Sequence, residues 1–463
     1  MWQALPLSPL EHAGIVAGAL LVYVLVTHIG QQRRTPSAAI AWVLAIAAFP
    51  YLALPLFLVF GTRKFARPAR AGRPHRPERT DADTHEPQWP RELLRAMEVD
   101  PPGGNVGVTF HDTGEASLRA LLALCASARS TLAVQTFLLR EDAVGRKMVQ
   151  ALADAARRGV HTRLLLDAVG NLWLPRRVQT ALAASGVSVL HFMPLAHNPL
   201  RGRTNLRNHR KLAVADGRRL WAGGRNLAGE YFIDHPGQPA WLDLSFRADG
   251  TLAESALAQF DADWRLAGGI PPPAVPASLG DMAGNGIPAQ WLPSGPDRAD
   301  DTVHALLLSA AWHARQRILA ATPYFVPDEA LLQAWSNACR RGVRVCLALP
   351  RRSNHRLADI AREQSLRQLV HAGAEVRLVP HMLHAKTVVM DDMLALCGSV
   401  NLDGRSLFLN YEATAVFYGH GEIEWLAQWI ESAAARGEQH PGILPSLPRD
   451  VLEGLVRAVG FQL

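Results

Sequence analysis

The chain has 463 residues, 49% hydrophobic and 19% charged, with a formal net charge of +7. That length suits two or three domains with large buried cores, and it excludes both pervasive disorder and a small disulfide scaffold. Four cysteines (Cys125, Cys339, Cys346, Cys397) are scattered without a CxxC pair, which excludes a zinc ribbon and fits a reducing compartment.

The first elements are apolar. Residues 13–29 and 37–60 are uncharged runs, each near the ~20 residues a helix needs to cross a hydrocarbon core. A short turn (30–36) joins them, so residues 1–64 are predicted to form a two-helix membrane hairpin, with Pro50 and Pro55 kinking the second span. No basic region precedes the first run, which argues against a cleaved signal peptide. A basic linker (65–102) follows. Arg63, Lys64, Arg67, Arg70, Arg73, Arg76 and Arg79 face only Glu78, so this stretch carries +6 of the net +7. The positive-inside rule then puts the rest of the chain in the cytoplasm. Charge confined beside a membrane span also counts against a nucleic-acid partner, which would require a basic face on the fold.

Beyond the linker one pattern occurs twice. Residues 128–136 match 314–322, 156–160 match 339–343, and 185–189 match 372–376, in the same order and at similar offsets. In each copy Ala/Leu/Arg-rich helical stretches alternate with short β-branched runs, the signature of α/β units around a sheet. The expected layout is a first α/β domain at 103–267, a Pro/Gly-rich linker at 268–288 and a second α/β domain at 289–463, the two related by a pseudo-two-fold axis. The apolar tail from Val451 reads equally as a bilayer-surface segment or a docking helix.

The chemistry lies in a further match. His209-Arg-Lys211 precedes Asp216 and Gly223-Gly-Arg-Asn226, while His384-Ala-Lys386 precedes Asp391 and Gly398-Ser399-Val-Asn401. Just four of the 48 basic residues are lysine (Lys64, Lys147, Lys211, Lys386), and two of those four occupy equivalent places in the repeat. On a strand, residues i and i+2 share a face, so each histidine projects beside its lysine. Asp216 and Asp391 fall where the strand gives way to a turn, and read as scaffold rather than proton carriers. The return strand brings Asn226 and Asn401 back beside the pairs, where they either bind a ligand or cap the next helix. Two such hairpins meeting across an axis would surround one phosphate with two imidazoles, two ammonium groups and two amides. One imidazole can attack phosphorus while the other protonates the departing alkoxide. Such a reaction needs no cofactor, and no carboxylate cluster suited to a metal is visible.

This doubled HxKxxxxD pattern resembles the phospholipase D superfamily. Together with the paired apolar spans and Ala321-Thr-Pro-Tyr-Phe-Val-Pro327, it looks most like the superfamily's bacterial cardiolipin synthases. The resemblance implies that His209 is the nucleophile and His384 the general acid, then base. It assigns phosphate binding to Lys211, Lys386, Asn226 and Asn401, with Gly223, Gly398 and Ser399 around them. A downstream carboxylate would orient each histidine: Asp243 in the first copy, Glu412 in the second. One departure is Gly224, where serine is common. The implied reaction joins two phosphatidylglycerol molecules into cardiolipin and glycerol at a bacterial inner membrane, with phosphatidylethanolamine as another candidate donor. Hydrolysis to phosphatidate, an HKD nuclease and an inactive membrane scaffold are the alternatives.

Overall fold

The computed structural model describes residues 8–29, 36–61, 88–194, 205–273 and 286–458. The turn between the apolar spans, most of the basic linker and the middle of the Pro/Gly linker lie outside these. At the N-terminus, α1 (Pro9–Ile29) packs against α2 (Pro36–Ala48) and α3 (Pro50–Phe60). Pro50 does more than bend the second span: the helix stops at Phe49 and restarts. Tyr23 and Trp42 both pack on Phe57, with ring centroids 4.8 and 5.4 Å apart. Leu21, Leu25, Leu44 and Leu52 point outward into the surroundings, as lipid-facing side chains do. With 21 residues, α1 is about 32 Å long, enough to cross a bilayer core.

The remainder is built around one sheet. The first copy supplies β1 (Gly103–His111), β2 (Thr131–Thr136), β3 (His161–Asp167), β4 (Ser188–Phe192), β5 (Leu212–Ala215), β6 (Arg219–Gly223) and β7 (Ser245–Gly250). From the second come β8 (Ile287–Ser294), β9 (Arg317–Ala321), β10 (Phe325–Val326), β11 (Arg344–Pro350), β12 (Glu375–Val379), β13 (Thr387–Met390), β14 (Leu394–Gly398), β15 (Leu402–Asp403), β16 (Glu412–Phe417) and β17 (Glu438–Gln439). The sheet order is β17-β12-β11-β9-β13-β14-β16-β8-β1-β7-β6-β5-β2-β3-β4, with β10 and β15 paired separately. Apart from β17 the order is a palindrome about the β1–β8 junction, where Gly104 pairs with Pro288. The repeat is thus expressed as two α/β halves about a pseudo-two-fold axis, fused through a continuous sheet rather than merely pressed together.

Burial explains the fusion. On one face, Phe110, Phe246 and Phe417, from strands of both halves, form an aromatic cluster with centroids 5.2 to 6.4 Å apart. Helices 251–266 and 420–435 cover that shared core, whereas each half has its own core on the other face. A fully buried phenylalanine contributes roughly 1.5–3 kcal/mol, and Phe246 and Phe417, both fully buried, add that stabilisation across the seam. The C-terminal helix, Leu447–Ala458, docks on the second half, where Arg367 meets Glu453 at 2.6 Å.

Candidate active site

Both histidine–lysine pairs lie at the seam. The sequence pattern puts them within strands, but ladder pairing starts later, at Leu212 and Thr387. Their backbones are engaged by the opposite half instead. The His209 amide donates to the Tyr411 carbonyl at 2.9 Å, and the His384 amide to the Leu242 carbonyl at 2.7 Å. The segments remain extended, so the i, i+2 relation survives.

The orienting carboxylates are exchanged between halves: each copy supplies one, as expected, but to the histidine of the other copy. His209 Nδ1 lies 2.9 Å from Glu412 Oε1, and His384 Nδ1 lies 2.7 Å from Asp243 Oδ2. Burial pushes both carboxyls up, yet the facing histidines and lysines outweigh it and hold both below the usual range. An ionised carboxylate only accepts hydrogen bonds, so each imidazole carries its proton on Nδ1 and its lone pair on Nε2. Burial, reinforced by the lysines and opposed by the carboxylates, pulls His209 down to about 4 and His384 to about 3. Both rings are therefore neutral at pH 7.

The lysines are buried like His384, Lys211 being 3% and Lys386 4% exposed, whereas His209 keeps 13% of its side chain exposed. Burial lowers the Lys386 pKa to about 8 and takes Lys211 well below the ordinary range. Each ammonium donates to the main-chain carbonyl of its own histidine. Lys386 Nζ also rests against the His384 ring, 3.0 Å from Nε2. Asn226 donates to the Tyr231 hydroxyl at 2.8 Å, and Asn401 is buried at the equivalent place.

Asp216 and Asp391 sit at the hairpin tips, away from these rings, in left-handed conformations with φ of 54° and 50°. Asp216 accepts from the amides of Arg129, Ser130 and Thr131, Asp391 from those of Arg315, Gln316 and Arg317. Each carboxylate clamps the start of the neighbouring strand, β2 or β9.

Gly223, Gly398 and Ser399, expected around phosphate, face the carboxylate-bearing strands instead. A Cβ on Gly223 would lie 2.4 Å from the Leu244 carbonyl, and one on Gly398 2.4 Å from that of Ala413. Ser399 donates its hydroxyl to Glu412, as does Ser406 at 2.8 Å. The departure at Gly224 has a steric cause: a Cβ there would stand 2.2 Å from Asp243 Oδ1. A shorter Asp in one half goes with Gly, and a longer Glu in the other with Ser.

Sequence reasoning missed the walls. Phe137 packs edge-on to His209 at 5.3 Å, and Tyr231 to His384 at 5.0 Å, with Trp241 beside it. Tyr231 and Trp241 lie in the longer loop before Asp243, and that extra length was the available signal. Also missed was Arg210, between the motif's His and Lys. It is fully buried, bonding Asp263 at 2.5 Å and, in the other half, the carbonyls of Glu412 and Ser294 at 2.9 and 3.1 Å.

Comparison with known proteins agrees with this constellation. Residues 121–264 and 307–434 match the family described as "Cardiolipin synthase, PLD-like domain", and residues 19–61 match "Phospholipase_D-nuclease N-terminal". The chain is 32% identical over 431 residues to cardiolipin synthase A of Pseudomonas entomophila, covering 89% of each. It is 33% identical over 440 residues to that of Pseudomonas aeruginosa, covering 90% of this chain and 89% of the relative. The crystal structure of phosphatidylserine synthase from Haemophilus influenzae shares the fold, with TM-score 0.58 at 15% identity over 81% of this chain and 100% of its own. With both halves and most of its length accounted for, the chain belongs to the cardiolipin synthase family of the phospholipase D superfamily and is a membrane-associated phospholipid enzyme of that type.

Proposed function

We propose that the enzyme converts two phosphatidylglycerol molecules into cardiolipin and glycerol through phosphatidyl-His209, with its catalytic halves on the cytoplasmic face of the inner membrane. The supporting observation is the crossed pairing of His209 with Glu412 and His384 with Asp243 through Nδ1, which leaves Nε2 of each ring outside the carboxylate pairing. In the first half-reaction His209 Nε2 attacks phosphorus and the P–O bond to glycerol breaks. His384 gives the departing oxygen a proton. The hydroxyl of a second phosphatidylglycerol then attacks phosphorus, its proton passes to His384, and the P–N bond breaks. Lys211, Lys386, Asn226 and Asn401 are the groups for the non-bridging oxygens.

His384 must be charged to act as an acid, although burial and the lysines hold it neutral. A bound phosphodiester anion offsets the lysine charge and raises the imidazole pKa within the complex. One bond is exchanged for another of similar energy, so no nucleotide is consumed. Confinement of both lipids to the bilayer raises their effective concentration over competing water.

The test is product analysis with purified enzyme in phosphatidylglycerol liposomes. Cardiolipin and glycerol in equal amounts are expected; phosphatidate with no cardiolipin would replace transfer by hydrolysis.

A further inference from the structure

The edge of the sheet that carries the histidines also carries large apolar side chains in water. Trp173 is 89% exposed and Leu172 52% exposed, in the loop that follows β3. This loop is firmly built. The Asp167 carboxylate accepts from the amides of Val169 and Gly170 at 2.9 and 3.0 Å. Asn171 donates to the carbonyls of Phe137 and Asp167 at 2.8 and 2.9 Å, and accepts from the Leu139 amide at 2.8 Å. Phe137 is the ring against His209, and Asp167 also accepts from the Asn208 amide at 2.8 Å. The exposed tip is thus one layer of side chains from the proposed nucleophile.

The pseudo-symmetric place, the loop after β11, is chemically different. It carries exposed Arg352, Arg356 and Leu357 and leads into helix 356–361. On that helix packs the C-terminal one, whose Leu447 and Val451 are 77% and 55% exposed. Exposed apolar side chains therefore stand at the corresponding place of both halves, with exposed arginines beside each, Arg176 and Arg177 after the first loop and Arg352 and Arg356 at the second. Large apolar side chains grouped and exposed in this way mark an interaction site. Its composition, an exposed tryptophan and leucines with cations at the same level, is that of segments seated at a membrane interface.

We propose that the loop Ala168–Leu174 and the C-terminal helix are two feet that seat the active-site edge on a phospholipid bilayer. Trp173 and Leu172 enter the headgroup and upper acyl region, while Arg352 and Arg356 contact lipid phosphates. The substrate phosphodiester then reaches the seam without its chains leaving the membrane. Three observations select a bilayer as the occupant: the apolar N-terminal hairpin already ties the chain to one, the cations match anionic headgroups, and the loop after β3 is hydrogen-bonded, through Asn171 and Asp167, to Phe137 and Asn208 beside His209. The proposal rests on the lipid-transfer reading only for the identity of the substrate.

The test uses the full chain in nanodiscs of phosphatidylglycerol and phosphatidylcholine. Cys339, the half-buried thiol, is replaced by Ser, and a bimane label is placed at Trp173→Cys or, as control, at His161→Cys. His161 is exposed at the opposite end of β3, about 20 Å away. Quenching of the 173 label by doxyl lipid, with shielding from aqueous iodide relative to the 161 label, is expected. A 173 label as open to iodide as the 161 label, or shielded without lipid by contact with a second copy, would overturn the proposal. Kinetically, Trp173→Asp should lower turnover of long-chain phosphatidylglycerol in nanodiscs at least tenfold. The same variant should stay within twofold of wild type on monomeric dihexanoyl-phosphatidylglycerol, and equal loss on both substrates would also overturn it. Because the label reports seating without turnover, a chain that seats but makes no cardiolipin would sink the transfer reading alone.

Discussion

His209 and His384 are removed from water and each is given one carboxylate partner, and that combination sets their behaviour in acid. Their folded-state values of about 4 and about 3 lie below the ~6.5 of an unfolded histidine. Between these limits the unfolded chain binds more protons than the folded one, so stability falls as pH falls. The melting temperature should drop by several degrees between pH ~6.5, where the histidine contribution is fully present, and pH 4; a flat profile over that window would mean that water reaches the rings. Catalysis follows from the same enclosure. His209→Ala or His384→Ala should lower turnover by about a thousandfold, as loss of a nucleophile or proton carrier does. Lys211→Arg should cost at least about tenfold in kcat with the fold intact, since a planar guanidinium does not fit a buried ammonium site. These residues could be picked out from spacing and from the scarcity of lysine. The carboxylates Asp243 and Glu412 were named from the family resemblance, but which ring each holds was not legible, because each lies in the opposite half from its histidine.

At the scale of the element, the hairpins β5–β6 and β13–β14 are the devices that present the chemistry. Their turns were legible in the sequence: an aspartate opens each, and it tolerates the left-handed conformation because its side chain can hydrogen-bond nearby backbone. Asp216→Ala removes three amide contacts and leaves alanine at positive φ, so a loss of about 2–3 kcal/mol is expected. Activity per folded molecule should be largely retained, which separates a clamp from a proton carrier; denaturant unfolding beside specific activity reads both. The less legible features share a cause. The ladders begin only at Leu212 and Thr387 because the preceding residues pair with the other half, and no local pattern announces a partner about 140 to 200 residues away. The break at Phe49, by contrast, is local, and Pro50 had marked it.

For the molecule as a whole, each half completes the other's histidine. Glu412→Gln should slow formation of the phosphoenzyme on His209, whereas Asp243→Asn should slow steps that use His384. In rapid-quench experiments with labelled phosphatidylglycerol the label should appear on His209, and Asp243→Asn should slow both its appearance and its loss; label on His384 would reverse the assignment. The duplicated halves, the motif residues and the apolar hairpin were all determined by sequence alone, because repetition, i, i+2 spacing and hydropathy are properties of the chain itself. The continuous sheet, the exchange of carboxylates, the pairing of Gly224 with Asp243 and the apolar feet of the two halves were decided only by tertiary structure. Each depends on which surfaces the pseudo-two-fold axis brings into contact, and packing of distant segments leaves no periodic trace in the sequence.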